Sequence, residues 1–385
     1  MTDKKKDEMS PPLPVGGALL AAAGVGLFSF WLYSLDGTRG LLEWMPKYRN
    51  IFLCILAVGC LPALLLIPAR HSRPFRFVSI VVSCLVIAGT SAGFMLLFNH
   101  TRKIPTHIPV MNKLELTSEK SLAHLAFSSD MHIGSGKNNL EATRSILRTV
   151  NAGGYDAFFI LGDIAEMGVP GMDFENAASL FAKEIPDVAI ATVMGNHDAL
   201  IGGTYRYQSF FNNKLYYRID SGKTHIIALN LLWGSESMDS AQKKWLVATL
   251  ASIPTEDTTI VIDHCYFWAS GYTDKETGIA WYDHPALTAE ISPLLEQGGV
   301  DLVISGHNHF MEYLERPAAD GTKGTAYVVI GAMGGMPDPE REYSSPWSLW
   351  YKAKQFGFLD LTVYENRMEL AFRSETGEVL HTVVR

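Results

Sequence analysis

Cysteine is scarce and poorly placed for cross-linking. The 385 residues include four, of which Cys54, Cys60 and Cys84 sit in apolar runs, leaving Cys265 alone in the rest of the chain. The C-terminal part therefore has no internal disulfide available, and the lack of any Cys-x-x-Cys pair argues against thiolate zinc sites and dithiol redox centres. A basic stripe is also missing. The net charge is −8, and no cluster of Lys and Arg stands ready to neutralise a run of phosphates, so nucleic acid is not an expected partner. Repeats and low-complexity segments are absent. Ionisable residues are absent from three long apolar stretches, Val15–Leu35, Ile51–Ala69 and Phe77–Phe98.

Charge divides the chain. Residues 1–115 carry a net +6 and residues 116–385 a net −14, the pattern of a membrane anchor joined to an acidic globular part. A helix crossing the ~30 Å hydrocarbon core needs roughly 20 residues, and each apolar stretch is about that long. Small residues recur four apart (Ala18, Ala22, Gly26; Gly89, Gly93), which lets helices approach closely. Trp31, Tyr33, Trp44 and Tyr48 fall near the ends of the stretches, where amphipathic rings prefer the interface. The competing reading is a buried helical bundle in a soluble protein. Cleavage as a signal peptide is not expected, because the first stretch is longer than a typical h-region and has no Ala-x-Ala site. Three spans put the N-terminus and the soluble part on opposite sides. The dense Arg70, Arg73, Arg76 loop favours a cytoplasmic location for that loop, which places the soluble part on the extracytoplasmic side.

The expected organisation is a polar tail over 1–14, a transmembrane region of three helices over 15–98, a linker over 99–118, and a soluble domain over 119–385. Within that domain short apolar runs alternate with amphipathic stretches. His124–Ser129, Ala157–Leu161 and Val188–Met194 read as strands separated by helices at Leu140–Asn151 and Asp173–Glu184. Strands also read at Leu215–Asp220, His225–Leu231, Thr259–Asp263 and Val300–Ile304, with helices at Ala241–Ala251 and Pro285–Gln297. This alternation predicts an α/β layered domain. The tail (Ala326–Ile330, Phe358–Tyr364, Arg367–Arg373, Val379–Val384) is β-rich and is expected to close a second sheet.

Five short segments place Asp, His and Asn just past strand ends. They are Ser129-Asp130-Met131-His132, Leu161-Gly162-Asp163, Met194-Gly195-Asn196-His197-Asp198, Asp263-His264 and Ser305-Gly306-His307-Asn308-His309. Ligands bind outside the carboxyl ends of strands in α/β sheets, so the five ends converge on one crevice. Imidazole, carboxylate and amide oxygen without thiolate suit Mn²⁺, Fe or Zn²⁺. Seven candidate ligands exceed what one ion needs and suit a pair sharing a bridging carboxylate.

The ordered set Asp-x-His, Gly-Asp, Gly-Asn-His-Asp, His, Gly-His-x-His resembles the calcineurin-like metallophosphoesterase superfamily, and spans Asp130 to His309. The resemblance implies a two-sheet αββα-type sandwich, preceded here by the α-helical transmembrane region expected from the three apolar stretches. It implies one metal on Asp130, His132 and His309, another on Asn196, His264 and His307, and Asp163 bridging them. It further implies in-line attack on phosphorus by a metal-bound hydroxide, with His197 as catalytic proton donor to the departing oxygen and Asp198 orienting it. The expected cofactors are two divalent ions, manganese before iron or zinc. Glu166 departs from a frequent family form with Asp or Asn at that position. It reads as lying beyond the ligands, where it bears on substrate details.

Other residues read more blandly. His124 and His225 fit packed or surface roles, Cys265 a small core residue, and His284 an exposed helix start with an outer-site contact as the alternative. Met336–Gln355, rich in proline and aromatics, either caps the site or touches the bilayer, or is simply packed down by Trp347 and Trp350. For Trp233, Trp268 and Trp281 packing is the expectation. A membrane-anchored phosphoesterase acting on a lipid or envelope-associated ester is the leading function, with the lipid bilayer and a phosphate-ester substrate as partners. A tethered phosphodiesterase or phosphatase for soluble nucleotides or small phosphates is the alternative, and a catalytically silent metal-binding scaffold a further one.

Overall fold

A computed structural model describes residues 13–35, 38–44, 46–69, 72–101, 122–168, 173–211, 214–231, 238–273, 287–318 and 324–385. The chain divides into two compact units, Met1–Arg102 and Lys103–Arg385. That division falls inside the segment expected to be a linker, most of which lies outside the described residues.

The first unit is helical: α1 (Leu13–Ser34), α2 (Thr38–Trp44), α3 (Pro46–Ala69) and α4 (Arg73–Thr101). Three segments, Val15–Ser34, Pro46–Leu65 and Arg73–Leu96, are long and apolar enough to cross a membrane. Only α2 was not foreseen. The helices touch through small side chains. Ala18, Ala21 and Val25 are buried, and a Cβ on Gly59 would lie 2.7 Å from Val25 Cγ1, so α3 can approach α1 there only without a side chain. The bulky residues point out. Leu20, Leu27, Phe30, Phe77, Leu85 and Leu96 are all exposed, the reverse of a water-soluble bundle and the arrangement that lipid favours. Two hydroxyls bond along their own helix: Ser83 Oγ donates to Ser79 O and Thr90 Oγ1 to Val86 O, both at 2.8 Å. Gly17 lies against Ser83, Gly24 against Thr90 and Gly93 against Phe28, so α1 and α4 run parallel, as an up-down-up bundle requires.

The second unit is a sandwich of two mixed sheets. Its strands are β1 (Ala123–Ser128), β2 (Ala157–Ile160), β3 (Ala189–Thr192), β4 (Tyr217–Ser221), β5 (Thr224–Ala228), β6 (Thr258–Ile262), β7 (Leu302–Ser305), β8 (Met311–Glu315), β9 (Ala326–Ile330), β10 (Ser348–Lys352), β11 (Gly357–Val363), β12 (Met368–Ser374) and β13 (Val379–Val384). The first sheet has the order β13-β12-β11-β1-β2-β3 and the second β10-β8-β9-β7-β6-β5-β4. β1, β2 and β3 run parallel, as do β5, β6, β7 and β9. Alternation along each strand builds the layers, because successive side chains face opposite sides. From β1, Leu125 and Phe127 enter the core between the sheets. Ala126 faces the other way, toward Ile146 and Leu147 of α5 (Leu140–Ala152) and Phe174 of α6 (Asp173–Glu184). From β5, Ile226 and Ala228 face the inner core. Ile227 faces Leu246 of α9 (Ser240–Leu250) and Leu295 of α10 (Ser292–Gln297), so helices cover both outer faces. Two short helices, α7 (Asn196–Ala199) and α8 (Gly203–Phe210), lie between β3 and β4. Caps fix helix starts as the sequence allows. Asn139 accepts from Ala142 N at 3.1 Å to open α5, a contact worth about 1 kcal/mol.

The structure corrects the expectation for the tail. Only β9 joins the second sheet, whereas β11, β12 and β13 extend the first, β11 pairing antiparallel with β1. Strands β8 and β10 and the helices α7 and α8 carry too little periodicity to be read in advance. Met336–Gln355 is also not one long loop, since it contains β10. Trp350 stacks on His381 at 4.9 Å and packs against Phe372, while Trp347 meets Trp268 edge-on at 4.9 Å. The tryptophans pack this segment down.

Candidate metal centre

Five of the parallel strands deliver the chemistry-bearing residues from their carboxyl ends. β1 leads to Asp130 and His132, β2 to Asp163, β3 to Asn196 and His197, β6 to His264, and β7 to His307 and His309. Turning sharply off a strand strains the backbone. Asp130, His132, Asp163 and His307 all have positive φ, between 48° and 70°, a region that costs of order 1–3 kcal/mol and concentrates at functional sites. Two glycines permit the close approach. A Cβ on Gly162 would lie 2.5 Å from His264 Nδ1, and one on Gly335 would lie 2.7 Å from His309 Cε1 and 2.8 Å from His132 Cδ2.

The side chains gather in two groups. Ligand-type atoms of Asp130, His132 and His309 lie within 4.8 Å of one another, and so do those of Asp163, His264 and His307. Asn196 Oδ1 joins the second group, 2.8 Å from His264 Nε2 and 3.0 Å from His307 Nδ1. Asp163 stands between them, with Oδ2 3.6 Å from His132 Nε2 and Oδ1 3.4 Å from His264 Nε2. One carboxylate oxygen thus faces each group, the placement a bridging ligand needs.

The donors fit cations. His132 Nδ1 donates to Glu166 Oε2 at 2.8 Å, His309 Nδ1 to Met336 O at 2.7 Å and His264 Nδ1 to Leu161 O at 2.8 Å. An imidazole whose proton is committed at Nδ1 offers a lone pair at Nε2. The Nε2 atoms of His132 and His309 nevertheless face each other at 3.1 Å, beside Asp130 Oδ1, a buried oxygen with no hydrogen bond. Lone pairs turned on one another in a buried place call for positive charge between them. The mixture of imidazole, carboxylate and amide oxygen suits a divalent first-row metal.

Electrostatics agree. Burial alone would raise Asp130 and Asp163, but the imidazoles around them outweigh it and hold both carboxyls well below the usual range. Burial likewise opposes charge on His264, yet Asp163 and Asp130 raise it to about 10. His132 and His309 are raised the same way, against burial, by Asp130 and other carboxylates. The cluster draws positive charge, and protons and divalent ions compete for it.

His197 stands at the rim, its ring 4.6 Å from that of His132, and donates from Nδ1 to Glu166 O at 2.8 Å. This corrects the role expected for Asp198. Its carboxylate is fully buried and accepts from Ala165 N and Gly195 N, each at 2.9 Å, closing the turn into α7. Asp198 shapes the loop that carries His197; the atom orienting the His197 ring is a main-chain carbonyl. Burial lowers His197 and pushes Asp198 up to about 7.

Some contributors went unread. Asp338 Oδ2 accepts from His309 N at 2.7 Å, and Gly335 N donates to Asp130 O at 2.7 Å. The expectation that Met336–Gln355 caps the site pointed to this segment without singling out Asp338. The bland readings of His124 and His225 agree with their surroundings: His124 Nε2 sits 3.0 Å from Asp360 Oδ1, and His225 lies between Asp220 and Asp257. Trp268 donates to Ser292 Oγ at 2.9 Å and, with Trp347, stacks on Arg316. Trp233, Trp281 and His284 lie outside the described residues.

A two-sheet sandwich with these groups on its strand ends defines a class, the α/β metallophosphoesterase-like fold. Residues 123–311, within the second unit, match the family described as Calcineurin-like phosphoesterase. The chain is similar to Purple acid phosphatase 18 of Arabidopsis thaliana, 30% identical over 161 residues, which cover 40% of this chain and 35% of that protein. It thus spans about a third of the length of that curated relative. Among solved structures it is similar to purple acid phosphatase PPD1 from yellow lupin seeds, with a TM-score of 0.56 and 18% identity over 68% of this chain and 53% of that one. It is also similar to GAP50, the anchor in the inner membrane complex of Plasmodium, with a TM-score of 0.52 and 20% identity over 68% of this chain and 87% of that one. At these identities the structural likeness speaks for the fold.

Proposed function

We propose that this chain is a membrane-anchored, two-metal phosphoric ester hydrolase. One observation carries the reading: histidine, carboxylate and amide groups from five strand ends meet in two groups with the Asp163 carboxylate between them. Asp130, His132 and His309 would hold one ion and Asn196, His264 and His307 the other, with Asp163 shared. Manganese is favoured over iron or zinc. When bound, such a pair supplies Lewis acidity toward a phosphoryl group and activates water. The protein's own residues do the rest. The strained turns after β1, β2 and β7 fix the ligands before substrate arrives, so little reorganisation remains during reaction. His197 has Nδ1 committed to Glu166 O, so the proton it delivers to the departing oxygen is the second one, carried on Nε2 of the doubly protonated ring.

The three apolar helices support anchoring, and a tethered site favours a lipid or envelope-associated ester over a soluble nucleotide. The cluster of Arg70, Arg73 and Arg76 between the second and third apolar stretches supports an extracytoplasmic position for the second unit. The test is hydrolysis by the full-length chain in detergent with Mn²⁺, Zn²⁺ or chelator. Substrates are p-nitrophenyl phosphate, bis-p-nitrophenyl phosphate and phosphatidic acid micelles. Turnover that needs metal and falls by about 10³-fold or more in Asp163→Ala and about 10²-fold or more in His197→Ala is expected. Metal binding without turnover on any ester would favour the silent scaffold. Absence of metal binding would sink the reading.

A further inference from the structure

Four imidazoles in the centre have one nitrogen committed to an acceptor. For His309, His264 and His197 the acceptor is a main-chain carbonyl, of Met336, Leu161 and Glu166 respectively. His132 differs, because its Nδ1 faces a side chain, Glu166 Oε2, at 2.8 Å. We propose that Glu166 is a positioning residue for the first ion: its carboxylate keeps the His132 proton on Nδ1, so that Nε2 is free to bind metal. This assignment rests on the two-metal reading and adds to it a determinant of affinity at one of the two positions.

A neutral imidazole carries one proton, which resides on the nitrogen with the better acceptor. On the Nε2 side of His132 three acceptors compete. They are His309 Nε2 at 3.1 Å, Asp163 Oδ2 at 3.6 Å and Asp130 Oδ1 at 3.7 Å. Without Glu166 nothing described on the Nδ1 side matches them, and a proton drawn to Nε2 blocks the atom that must ligate. The same residue serves the neighbouring ring, since Glu166 O takes the Nδ1 proton of His197. One residue therefore sets the tautomers of a metal ligand and of the proton-transfer histidine.

The backbone here holds its place without the carboxylate. His132 N donates to Asp163 O, Ile133 N to Ile164 O and Glu166 N to Ile133 O, at 2.8–2.9 Å, tying the two turns into a short parallel bridge. The Glu166 side chain is 35% exposed and supports no core packing. Its removal should change the proton and leave the loop.

The test uses the full-length chain in detergent as wild type, Glu166→Ala and Glu166→Gln. Mn²⁺ binding is followed by equilibrium dialysis with metal counting, and the melting temperature is taken on metal-free protein. Wild type is expected to bind two ions. In Glu166→Ala one ion should weaken by about 10- to 100-fold, the range for removal of a partner behind a ligand, while the other stays. Glu166→Gln keeps an oxygen able to accept the Nδ1 proton and should recover most of the loss, with all three metal-free melting temperatures alike. Equal affinities in wild type and Glu166→Ala overturn the assignment alone. Equal losses in both variants with a lowered metal-free melting temperature also overturn it, making Glu166 a structural group. A wild type that takes up no ion overturns the metal-centre reading and this assignment with it.

Discussion

The two units of this chain solve opposite burial problems. In the helical unit the large residues Leu20, Phe30, Leu85 and Leu96 lie outside and alanine, glycine and serine inside. In the sandwich Phe127, Phe159 and Leu361 lie inside, and the buried charges include Arg206 and Glu312 as well as the candidate metal centre. Buried polar groups follow suit. In the helical unit the Ser83 and Thr90 hydroxyls donate to carbonyls of their own helix. The metal centre does the reverse, gathering residues from five separate strand ends so that no single segment works alone. Lipid would select local satisfaction of the kind Ser83 and Thr90 show, whereas a domain in water would be free to concentrate polar groups where it excludes solvent.

The contrast can be pressed hardest on packing. Phe159 is fully buried between the sheets and stacked on Phe127 at 5.0 Å, so Phe159→Ala should destabilise the sandwich by about 3–5 kcal/mol. Urea unfolding of the soluble unit, followed by fluorescence, would register this as a lower midpoint. A midpoint unchanged by the truncation would mean that the inner core is not what holds the sheets together.

Leu85 supplies the converse. It is 66% exposed at mid-helix in α4, where a water-soluble protein would accept arginine at almost no cost. If lipid surrounds it, Leu85→Arg should oppose insertion by about 2.5–3.5 kcal/mol, seen as a smaller membrane-integrated fraction after carbonate extraction. Unimpaired integration would break the comparison, because the helical unit would then be an ordinary bundle.

The smallest effect sharpens the soluble side. His124 is raised by its hydrogen bond to Asp360. A raised imidazole stabilises the fold fully below its ordinary value near 6.5 and loses that contribution as pH climbs through the folded value. Burial works to raise Asp360, but its bonds to His124 and Arg373 lower it, so its own contribution is lost only as pH falls through that lowered value. His124→Gln should therefore cost about 0.5 kcal/mol near pH 5.5 and progressively less toward pH 9. Melting curves of wild type and variant across that range would show a gap that closes, and a gap of constant size would mean the proton on His124 is irrelevant.

Much of this was legible in the chain. The apolar stretches gave the three long helices to within a few residues at most ends, because hydropathy over twenty positions leaves few alternatives. The motifs after β1, β2, β3, β6 and β7 were legible because each follows a short apolar run that reads as a buried strand. Where side-chain periodicity is weak, the reading failed. The five-residue strands β8 and β10 could not be told from loop, and β11 to β13 went to the wrong sheet, since a pairing such as Phe127 with Leu359 leaves no local mark. The resemblance assigned Asp198 to orienting His197, yet the helical turn at α7 sends its carboxylate to Ala165 and Gly195.

The sequence by itself determined which residue types were available for a divalent ion, that they follow strands, and that the N-terminal region is apolar enough to cross a membrane. Those are properties of composition and of short-range pattern, and they survive without knowledge of neighbours. The tertiary structure alone decided that Asp163 turns one oxygen to each group. It also decided that Glu166 rather than Asp198 holds the histidines, and that Gly335 and Asp338 belong to the centre. Hydrogen-bond geometry is set at a few tenths of an ångström between segments far apart in the chain, and only the packed sheets bring those segments to that distance.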